Sequence, residues 1–310
     1  MKVFVAGASG VVGRPTVRRL VAAGHDVVGM TRREERAAEI RQAGAEAVVC
    51  DVFDAEALKG AVVAARPEVV VHALTALPER FDPKSDYLAA TNRVRDEGTR
   101  NLVAAAKAAG ARRIVAESVA FFYEPEGDWV KGEEAPLFRD PPGRFAAACD
   151  ALVSMESQVL EAGEPEGVVL RFGWFYGPGT YYDRSGSVAD EVAKRRYPVI
   201  GKGEGMFSFI HVEDAAAAYV SALDQGAPGV YNVVDDEPAP LREWLPAYAE
   251  ALGAKPPRRV PAWLARMAAG KDLVSTATTM RGASNAKAKQ ELDWRPEHQG
   301  WRQGFPAALA

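Results

Sequence analysis

Short apolar runs alternate with amphipathic segments along the first half of the chain. The apolar runs have the length of buried strands and lie at residues 2–6, 26–30, 46–50, 68–73 and 112–117. Segments with helical spacing lie between them, for example 34–43 and 99–109, and Gly44 and Gly110 follow these two as C-terminal caps. This alternation predicts right-handed βαβ crossovers and a parallel sheet covered by helices on both faces. We therefore expect ligands beyond the carboxyl ends of the strands, at the topological switch point.

The turn after the first strand is rich in glycine and reads Gly7-Ala8-Ser9-Gly10-Val11-Val12-Gly13. The three glycines have separate uses: a tight turn, close approach of the backbone to a pyrophosphate, and close packing of the next helix on the strand. The free N–H groups of that helix and the positive end of its dipole face the phosphates. The alternative is an ordinary loop, which the strand–turn–helix context disfavours. Residues 7–13 are therefore predicted to bind a dinucleotide.

The end of the second strand bears on which dinucleotide is bound. It carries no Asp or Glu for the ribose hydroxyls of NAD, and Arg32 and Arg33 follow it directly. Because a guanidinium pairs bidentately with phosphate, the sequence favours the 2′-phosphate of NADP, with NAD as the second choice. The alternative is that Arg32 and Arg33 only solvate the start of a helix.

Composition excludes several classes of protein. The 310 residues are 48% apolar, enough for a large core, and the net charge of −4 comes from charges of mixed sign, which argues against a nucleic-acid partner. Two cysteines and four histidines show no disulfide framework and no metal-ligand spacing, so no metal is expected. The chain enters a strand at once, without a signal peptide, and no apolar run reaches membrane-spanning length. We expect a soluble cytoplasmic protein that binds a small-molecule substrate and no membrane.

The glycine spacing GxxGxxG and several later segments resemble the extended and atypical branches of the short-chain dehydrogenase/reductase superfamily, which include NAD-dependent epimerases and dehydratases. One of these segments is a helix with a pattern similar to N-x-x-G-T-x-N, and the last Asn of that pattern is Asn101. The others are the turn Gly177-Pro178-Gly179 and residues 207–216 and 284–296. The first Asn of the helix pattern falls on Arg95 here, with Asn92 one turn earlier.

The resemblance implies an α/β fold with a Rossmann-type doubly wound parallel sheet in residues 1–180. It implies a smaller C-terminal substrate lobe in residues 181–310, interleaved with the sheet as one structural unit. It also implies a homodimer formed through the two helices that flank the fifth strand.

The resemblance implies further cofactor contacts as well. Asp51 and Val52 would touch the adenine, although Asp51 or Asp54 could instead cap the next helix. The remaining contacts are Ala73, Leu74 and Thr75 along the ribose, and Phe172, Gly173, Trp174 and Phe175 at the nicotinamide. The aromatic content of this last group predicts an apolar or aromatic substrate pocket.

Catalysis in the superfamily relies on a Ser and on a Tyr-x-x-x-Lys pair, in which Tyr is the general acid/base and Lys lowers its pKa. Ser118 falls in the place of that Ser. Ala148 and Leu152 occupy the Tyr and Lys places, so the pair is absent. Tyr123 and Tyr176 are the candidate substitute donors, with core packing as the alternative for each.

Three predictions concern the surroundings of the site. Residues 124–144 are predicted to form a mobile loop over it, because the stretch is rich in Gly, Glu and Pro. Asp214 is predicted to cap a helix over residues 215–223. His211 is predicted to make structural hydrogen bonds, with a catalytic base as the alternative.

Together these observations favour an NAD(P)-binding oxidoreductase or an epimerase/dehydratase-like enzyme acting on a small organic substrate, with Ser118 polarising that substrate. One alternative is a non-redox NADP-binding sensor that has lost the chemistry. Another is an isomerase, lyase or cyclase that uses the same pocket without hydride transfer.

Overall fold

Seven parallel strands form the central sheet. The computed structural model describes residues 1–80 and 88–310. The strands are β1 (Lys2–Ala6), β2 (Asp26–Thr31), β3 (Glu46–Val49), β4 (Val69–His72), β5 (Arg113–Val119), β6 (Glu166–Phe172) and β7 (Gly229–Val233). Their spatial order is β7-β6-β5-β4-β1-β2-β3. The chain runs outward in both directions from β1, so the switch point lies between β1 and β4. The predicted doubly wound parallel fold is confirmed.

Helices connect the strands and continue into the C-terminal part of the chain. They are α1 (Gly13–Ala22), α2 (Glu34–Gln42), α3 (Ala55–Ala65), α4 (Ala89–Arg93), α5 (Thr99–Ala108), α6 (Phe145–Leu160), α7 (Ser187–Ala193), α8 (Val212–Ser221), α9 (Leu241–Ala251), α10 (Ala262–Ala269), α11 (Lys271–Thr279), α12 (Ala286–Glu291) and α13 (Trp301–Leu309). A π-helical turn, Val94–Gly98, joins α4 to α5. In the part of the chain that the structure describes, no helix has the length and apolarity needed to cross a bilayer.

Each face of the sheet has its own apolar core. Successive side chains of a strand point to opposite faces. Val3 and Val5 of β1 therefore join a core under α1, α2 and α8, whereas Phe4 and Ala6 join a second core under α3, α5 and α6. Residues of both cores are almost fully buried, and at about 25 cal/mol per Å² of apolar surface this burial is the main stabilising contribution.

The predicted elements agree closely with the structure. All five predicted strands form, and each end lies within two residues of its predicted position. β5 extends two residues further than predicted because it remains paired with β6 up to Val119, which faces Phe172. Tertiary pairing thus determines where this strand ends, whereas local pattern determines that it exists.

Residues beyond Thr180 form most of a third apolar core and also contribute elements to the sheet. An aromatic core that includes Phe209, Trp244 and Phe305 holds α7, α9 and α13 together. β7 adds the last strand beside β6, and α8 packs on α1. The lobe and the sheet are interleaved along the chain.

The segment predicted as a mobile loop is anchored to the lobe. Its short strand Val130–Lys131 pairs in parallel with Gly282–Ala283, and the Gly282 N–H donates to the Trp129 carbonyl oxygen at 2.9 Å. A bridge between Tyr123 and Leu137 closes its other end. The prediction missed these contacts because their partners lie far away along the chain.

The predicted cap of α8 is wrong. The helix begins at Val212, and the N-cap is His211, whose Nδ1 accepts a hydrogen bond from the Glu213 N–H at 3.3 Å. Asp214 is fully buried in the first turn, where its carboxylate accepts from the N–H groups of Glu297 and His298 at 2.9 and 3.0 Å. Asp214 therefore fastens the C-terminal segment to α8, and the structural role predicted for His211 is confirmed.

Candidate functional site

The glycine turn lies where β1 ends and α1 begins. Gly7 has a φ of +93°, and a Cβ added to it would lie 2.2 Å from the carbonyl oxygen of Ala73. A Cβ on Gly13 would lie 2.1 Å from the carbonyl oxygen of Gly7, so no other residue fits at these two positions. The N–H groups of Val11 and Val12 have no backbone acceptor within the described residues. The turn therefore fits the pyrophosphate of a dinucleotide.

A basic surface adjoins the turn at the end of β2. The hydroxyls of Ser9 and Thr31 are 3.0 Å apart and connect the turn to this strand. Arg32 and Arg33 follow Thr31, and both are exposed. Neither forms an ion pair with any residue that the structure describes. Their guanidinium groups are thus available to an anionic ligand beside the turn.

The two aspartates after β3 differ in what they bind. Asp54 is the N-cap of α3, because its Oδ1 accepts from the Ala57 N–H at 3.0 Å. Asp51 is exposed, and its Oδ1 accepts from the Phe53 N–H at 3.0 Å. Val52 is buried and contacts the Gly98 position. Asp51 is therefore free of the capping role that the sequence left open.

The ends of β4 and β6 form the other half of the cleft. Ala73 lies against Gly7, Leu74 is half-buried and Thr75 is exposed. Phe172, the last residue of β6, is fully buried. Gly173 follows it, and a Cβ on Gly173 would lie 2.5 Å from the carbonyl oxygen of Ser208.

Two partly exposed aromatic side chains follow that buried pair, Trp174 and Phe175. The Trp174 ring stacks on Phe121 with ring centroids 4.3 Å apart. This half of the cleft thus has an aromatic lining.

A buried polar network connects β5, β6 and α6. The Ser118 hydroxyl donates to Glu156 Oε1 at 2.6 Å. Arg171 donates to both oxygens of Glu156, from Nε at 2.9 Å and from Nη2 at 2.6 Å. Arg171 Nη1 donates to the Tyr123 hydroxyl at 3.0 Å, which in turn donates to Asn232 Oδ1 at 2.6 Å. Burial raises the pKa of Tyr123, and the adjacent Arg171 opposes that shift.

The three hydroxyls predicted to be catalytic all lie in the interior. Ser118 and Tyr123 are each 2% exposed. The Ser118 hydroxyl donates to Glu156 and the Tyr123 hydroxyl to Asn232, so both belong to this one network. Tyr176 lies apart in the aromatic core of the lobe, fully buried, and its hydroxyl has no hydrogen-bond partner among the described residues. Burial, and next Asp235, hold the pKa of Tyr176 far above its usual range. The catalytic roles of all three remain predictions.

Apolar side chains occupy the two positions at which the resemblance implies a proton donor and its lysine. Ala148 is fully buried and Leu152 is 1% exposed. Both belong to one apolar cluster on α6, and Val119, which follows Ser118 on β5, packs against that cluster. None of these three residues has a polar side-chain atom, and Ala148 and Leu152 are covered by the cluster that they belong to.

Comparison with known proteins gives the family. Residues 3–233 match the family described as the NAD dependent epimerase/dehydratase family. The chain belongs to this family. Over 305 residues, 98% of the chain and 99% of the other protein, it is 47% identical to a Streptomyces sp protein named 3-diazoavenalumate denitrifying reductase. The expectation of an oxidoreductase or epimerase/dehydratase-like protein is thereby confirmed.

Solved structures of the epimerase/dehydratase family have the same fold. UDP-glucose 4-epimerase of Thermus thermophilus, in complex with NAD, is 25% identical with a TM-score of 0.72, over 99% of this chain and 97% of the other. UDP-glucose 4-epimerase of Thermotoga maritima, with UDP-glucose, is 20% identical with a TM-score of 0.77, over the same shares of the two chains.

Two charged residues of this epimerase/dehydratase-family protein, Arg95 and Glu117, were not among the predicted site residues. Arg95 is 9% exposed, and burial lowers its pKa to about 10. Glu117 is the residue before Ser118, and burial raises its pKa to about 7 against the opposing effect of Arg95. The available signal was an arginine where the helix pattern has asparagine.

Proposed function

We propose that this protein is an NADPH-dependent reductase that transfers hydride to an aromatic carbon bearing a diazo group, with release of N₂. The observation that carries the proposal is that Ala148 and Leu152 occupy the positions of the proton donor and its lysine, in an apolar cluster against which Val119 packs. A hydride acceptor that takes no proton from the protein fits this replacement.

The chemistry of the acceptor explains why no proton donor is needed. Hydride addition to a carbonyl produces an alkoxide, which requires a donor in the site. At a diazonium carbon, a nicotinamide held by the glycine turn would supply the hydride; the C–N bond would break, its electron pair would leave with N₂, and no proton would be consumed. An apolar surrounding would disfavour water at that carbon, where water would compete as a nucleophile.

Two observations support an aromatic diazo substrate. The Streptomyces relative, 47% identical, has a name that specifies a diazo compound, a reductase and loss of nitrogen. The stacked and partly exposed rings of Trp174 and Phe121 offer a flat apolar surface at the end of β6. Such a surface suits an aryl ring, which gains from burial and from stacking.

The choice of NADPH rests on the basic surface at the end of β2. Arg32 and Arg33 are exposed and have no ion-pair partner among the described residues. The glycine turn would hold the pyrophosphate, Asp51 and Val52 would contact the adenine, and the two guanidinium groups would hold the 2′-phosphate.

The proposal extends to the organisation of the protein. Residues 1–180 bind the cofactor and residues 181–310 most of the substrate, and two copies pair through α5 and α6. The exposed Val153 and Leu160 on α6 support this pairing. The free Cys50 and Cys149 support a reducing, cytoplasmic location. Sedimentation velocity tests the dimer, which a single species of 33.3 kDa would contradict.

A matched pair of substrates tests the proposal. Purified protein is given NADPH with either 4-carboxybenzenediazonium or 4-carboxybenzaldehyde, which differ only in the reacting group. We expect NADPH oxidation, N₂ and benzoate in equal amounts from the diazonium and no alcohol from the aldehyde. NADPH deuterated at the transferred position should leave deuterium at the ring carbon. The Arg32→Asp/Arg33→Ala variant and a protein-free sample measure the background.

Three results would contradict the proposal, each in a different way. Reduction of the aldehyde, with the diazonium consumed no faster than in the protein-free sample, indicates a carbonyl reductase. NADPH binding without oxidation of NADPH by either compound indicates a sensor. Conversion of substrate without oxidation of NADPH indicates an isomerase, lyase or cyclase.

A further inference from the structure

A buried arginine with one guanidinium nitrogen that has no partner among the described residues lies in the π-helical turn between α4 and α5. Arg95 is 9% exposed, and its Nη1 has no hydrogen-bond partner within residues 1–80 and 88–310. The buried Oδ1 of Asn92 also has no partner there. Asn92 lies in the last turn of α4, and Arg95 is the second residue of the π-helical turn that follows it. π-Helical turns occur frequently at functional sites because the extra residue redirects the side chains around it.

Two carboxylates balance the charge of Arg95, but its Nη1 makes no hydrogen bond to any residue that the structure describes. Glu117 and Glu156 both interact electrostatically with it. The oxygens of Glu156 already accept from Ser118 and Arg171, and Glu117 Oε2 lies 3.5 Å from the Tyr219 hydroxyl. A buried donor that is left unpaired destabilises a protein, so its retention points to an acceptor that arrives with a ligand.

The topology of the sheet identifies the part of the ligand that Arg95 meets. The glycine turn follows β1, and Arg32 follows β2 on the adenosine side. A dinucleotide that crosses the switch point therefore lays its other half over β4 and β5. Arg95 interacts electrostatically with His72, the last residue of β4, and with Glu117 near the end of β5.

The neighbouring helix offers no cation to that half of the cleft. α6 presents Ala148 and Leu152, and the turn that contains Arg95 packs against α6. Arg95 also interacts with Cys149 of that helix. Arg95 thus places a guanidinium beside α6, which carries no Lys or Arg of its own.

We propose that Arg95 binds the nicotinamide half of the cofactor, its guanidinium donating to a hydroxyl oxygen of the ribose attached to the nicotinamide. This inference rests on the dinucleotide site of the proposed function. The family pattern has a lysine on α6, and this chain has Leu152 there. The inference assigns the role of holding the ribose to Arg95 in the π-helical turn instead.

The test uses one ligand that contains the second ribose and one that lacks it. NADPH and adenosine 2′,5′-bisphosphate are titrated against wild type, Arg95→Met and Arg95→Lys. We expect Arg95→Met to raise the Kd for NADPH about tenfold, the loss of a hydrogen bond from a charged donor, with no change for the bisphosphate. Arg95→Lys should recover part of the affinity. Arg100→Met, an exposed arginine on α5, is the matched control and should bind both ligands as the wild type does.

A thermal unfolding scan without ligand separates binding from a purely structural role. Arg95→Met removes an unpaired buried donor but also the charge that opposes the burial of Glu117, so it is compared with Arg95→Met/Glu117→Gln, whose midpoint should equal or exceed that of the wild type. An unchanged Kd for NADPH in Arg95→Met and Arg95→Lys overturns the inference, as does an equal loss of affinity for both ligands with a lowered midpoint. If Arg95→Met does not fold, the test rests on Arg95→Lys. An affinity of Arg95→Lys equal to that of the wild type for both ligands would then overturn the inference. A wild type that binds neither ligand contradicts the proposed function instead.

Discussion

Replacing Glu156 by alanine should lower the free energy of unfolding by about 3–5 kcal/mol, because the change leaves Arg171 as an unpaired charge in the interior. Both side chains are 7% exposed. Glu156 accepts three hydrogen bonds, one from Ser118 at 2.6 Å and two from Arg171 at 2.9 and 2.6 Å. The loss of all three therefore removes the compensation for burying the guanidinium. The free energy expected is that of a buried pair, well above the roughly 0–1 kcal/mol typical of an exposed pair.

The double variant Glu156→Leu/Arg171→Met separates the charge from the packing. Removal of both partners leaves no unpaired charge, so the double variant should be more stable than Glu156→Ala. Glu97→Ala is the matched control, since Glu97 is 37% exposed and pairs with Arg93 four residues away on one helix. We expect this control to change the free energy of unfolding only slightly, because solvent screens an exposed ion pair.

Urea unfolding followed by far-UV circular dichroism measures the three variants against wild type. The reasoning is refuted if Glu156→Ala is no more destabilised than Glu97→Ala. It is also refuted if the double variant is less stable than Glu156→Ala, because the cost would then come from lost packing.

Three further predictions concern the basic surface at the end of β2, Glu117 and the buried Tyr176. Arg32→Ala/Arg33→Ala should raise the Kd for NADPH about tenfold or more and leave the Kd for NADH unchanged, with Arg41→Ala as control, because only NADPH carries the 2′-phosphate; a fluorescence titration showing equal loss for both would contradict it. Burial raises the pKa of Glu117 from 4.5 to about 7 although Arg95 opposes it, so its contribution to stability is full below pH 4.5 and lost as pH rises through 7. Urea midpoints of Glu117→Gln should therefore exceed the wild-type values increasingly above pH 4.5, and parallel pH profiles would refute this. Tyr176→Phe removes a buried hydroxyl without a partner, so the unfolding midpoint should equal or exceed that of wild type and kcat should be unchanged; a large fall in kcat would instead support Tyr176 as the proton donor.

Most of the fold could be predicted because its signals are local. Apolar runs of strand length and helical spacing between them require only neighbouring residues, and every strand so predicted is present. Gly7 and Gly13 could be recognised for the same reason, since a turn at a strand–helix junction needs residues without a Cβ. The absence of the Tyr-x-x-x-Lys pair is likewise a statement about positions on one helix.

The direction and partners of polar side chains required the tertiary structure. Ser118 reads as an available hydroxyl in the sequence, yet its hydrogen goes to Glu156, 38 positions away. Asp214 reads as a cap, yet its carboxylate binds backbone N–H groups more than 80 positions away. Arg95 stands in the sequence only as a departure from the helix pattern, and tertiary packing is what buries it.

The physical reason for this division is range. Hydrophobic periodicity and glycine geometry act between residues close in the chain, so the sequence by itself determined the alternating elements, the doubly wound sheet and the dinucleotide turn. A hydrogen bond or a buried charge acts between groups brought together by folding, and its effect depends on the desolvation that the assembled core imposes. Only the tertiary structure therefore decided which hydroxyls are engaged, which aspartate caps a helix and which arginine is buried.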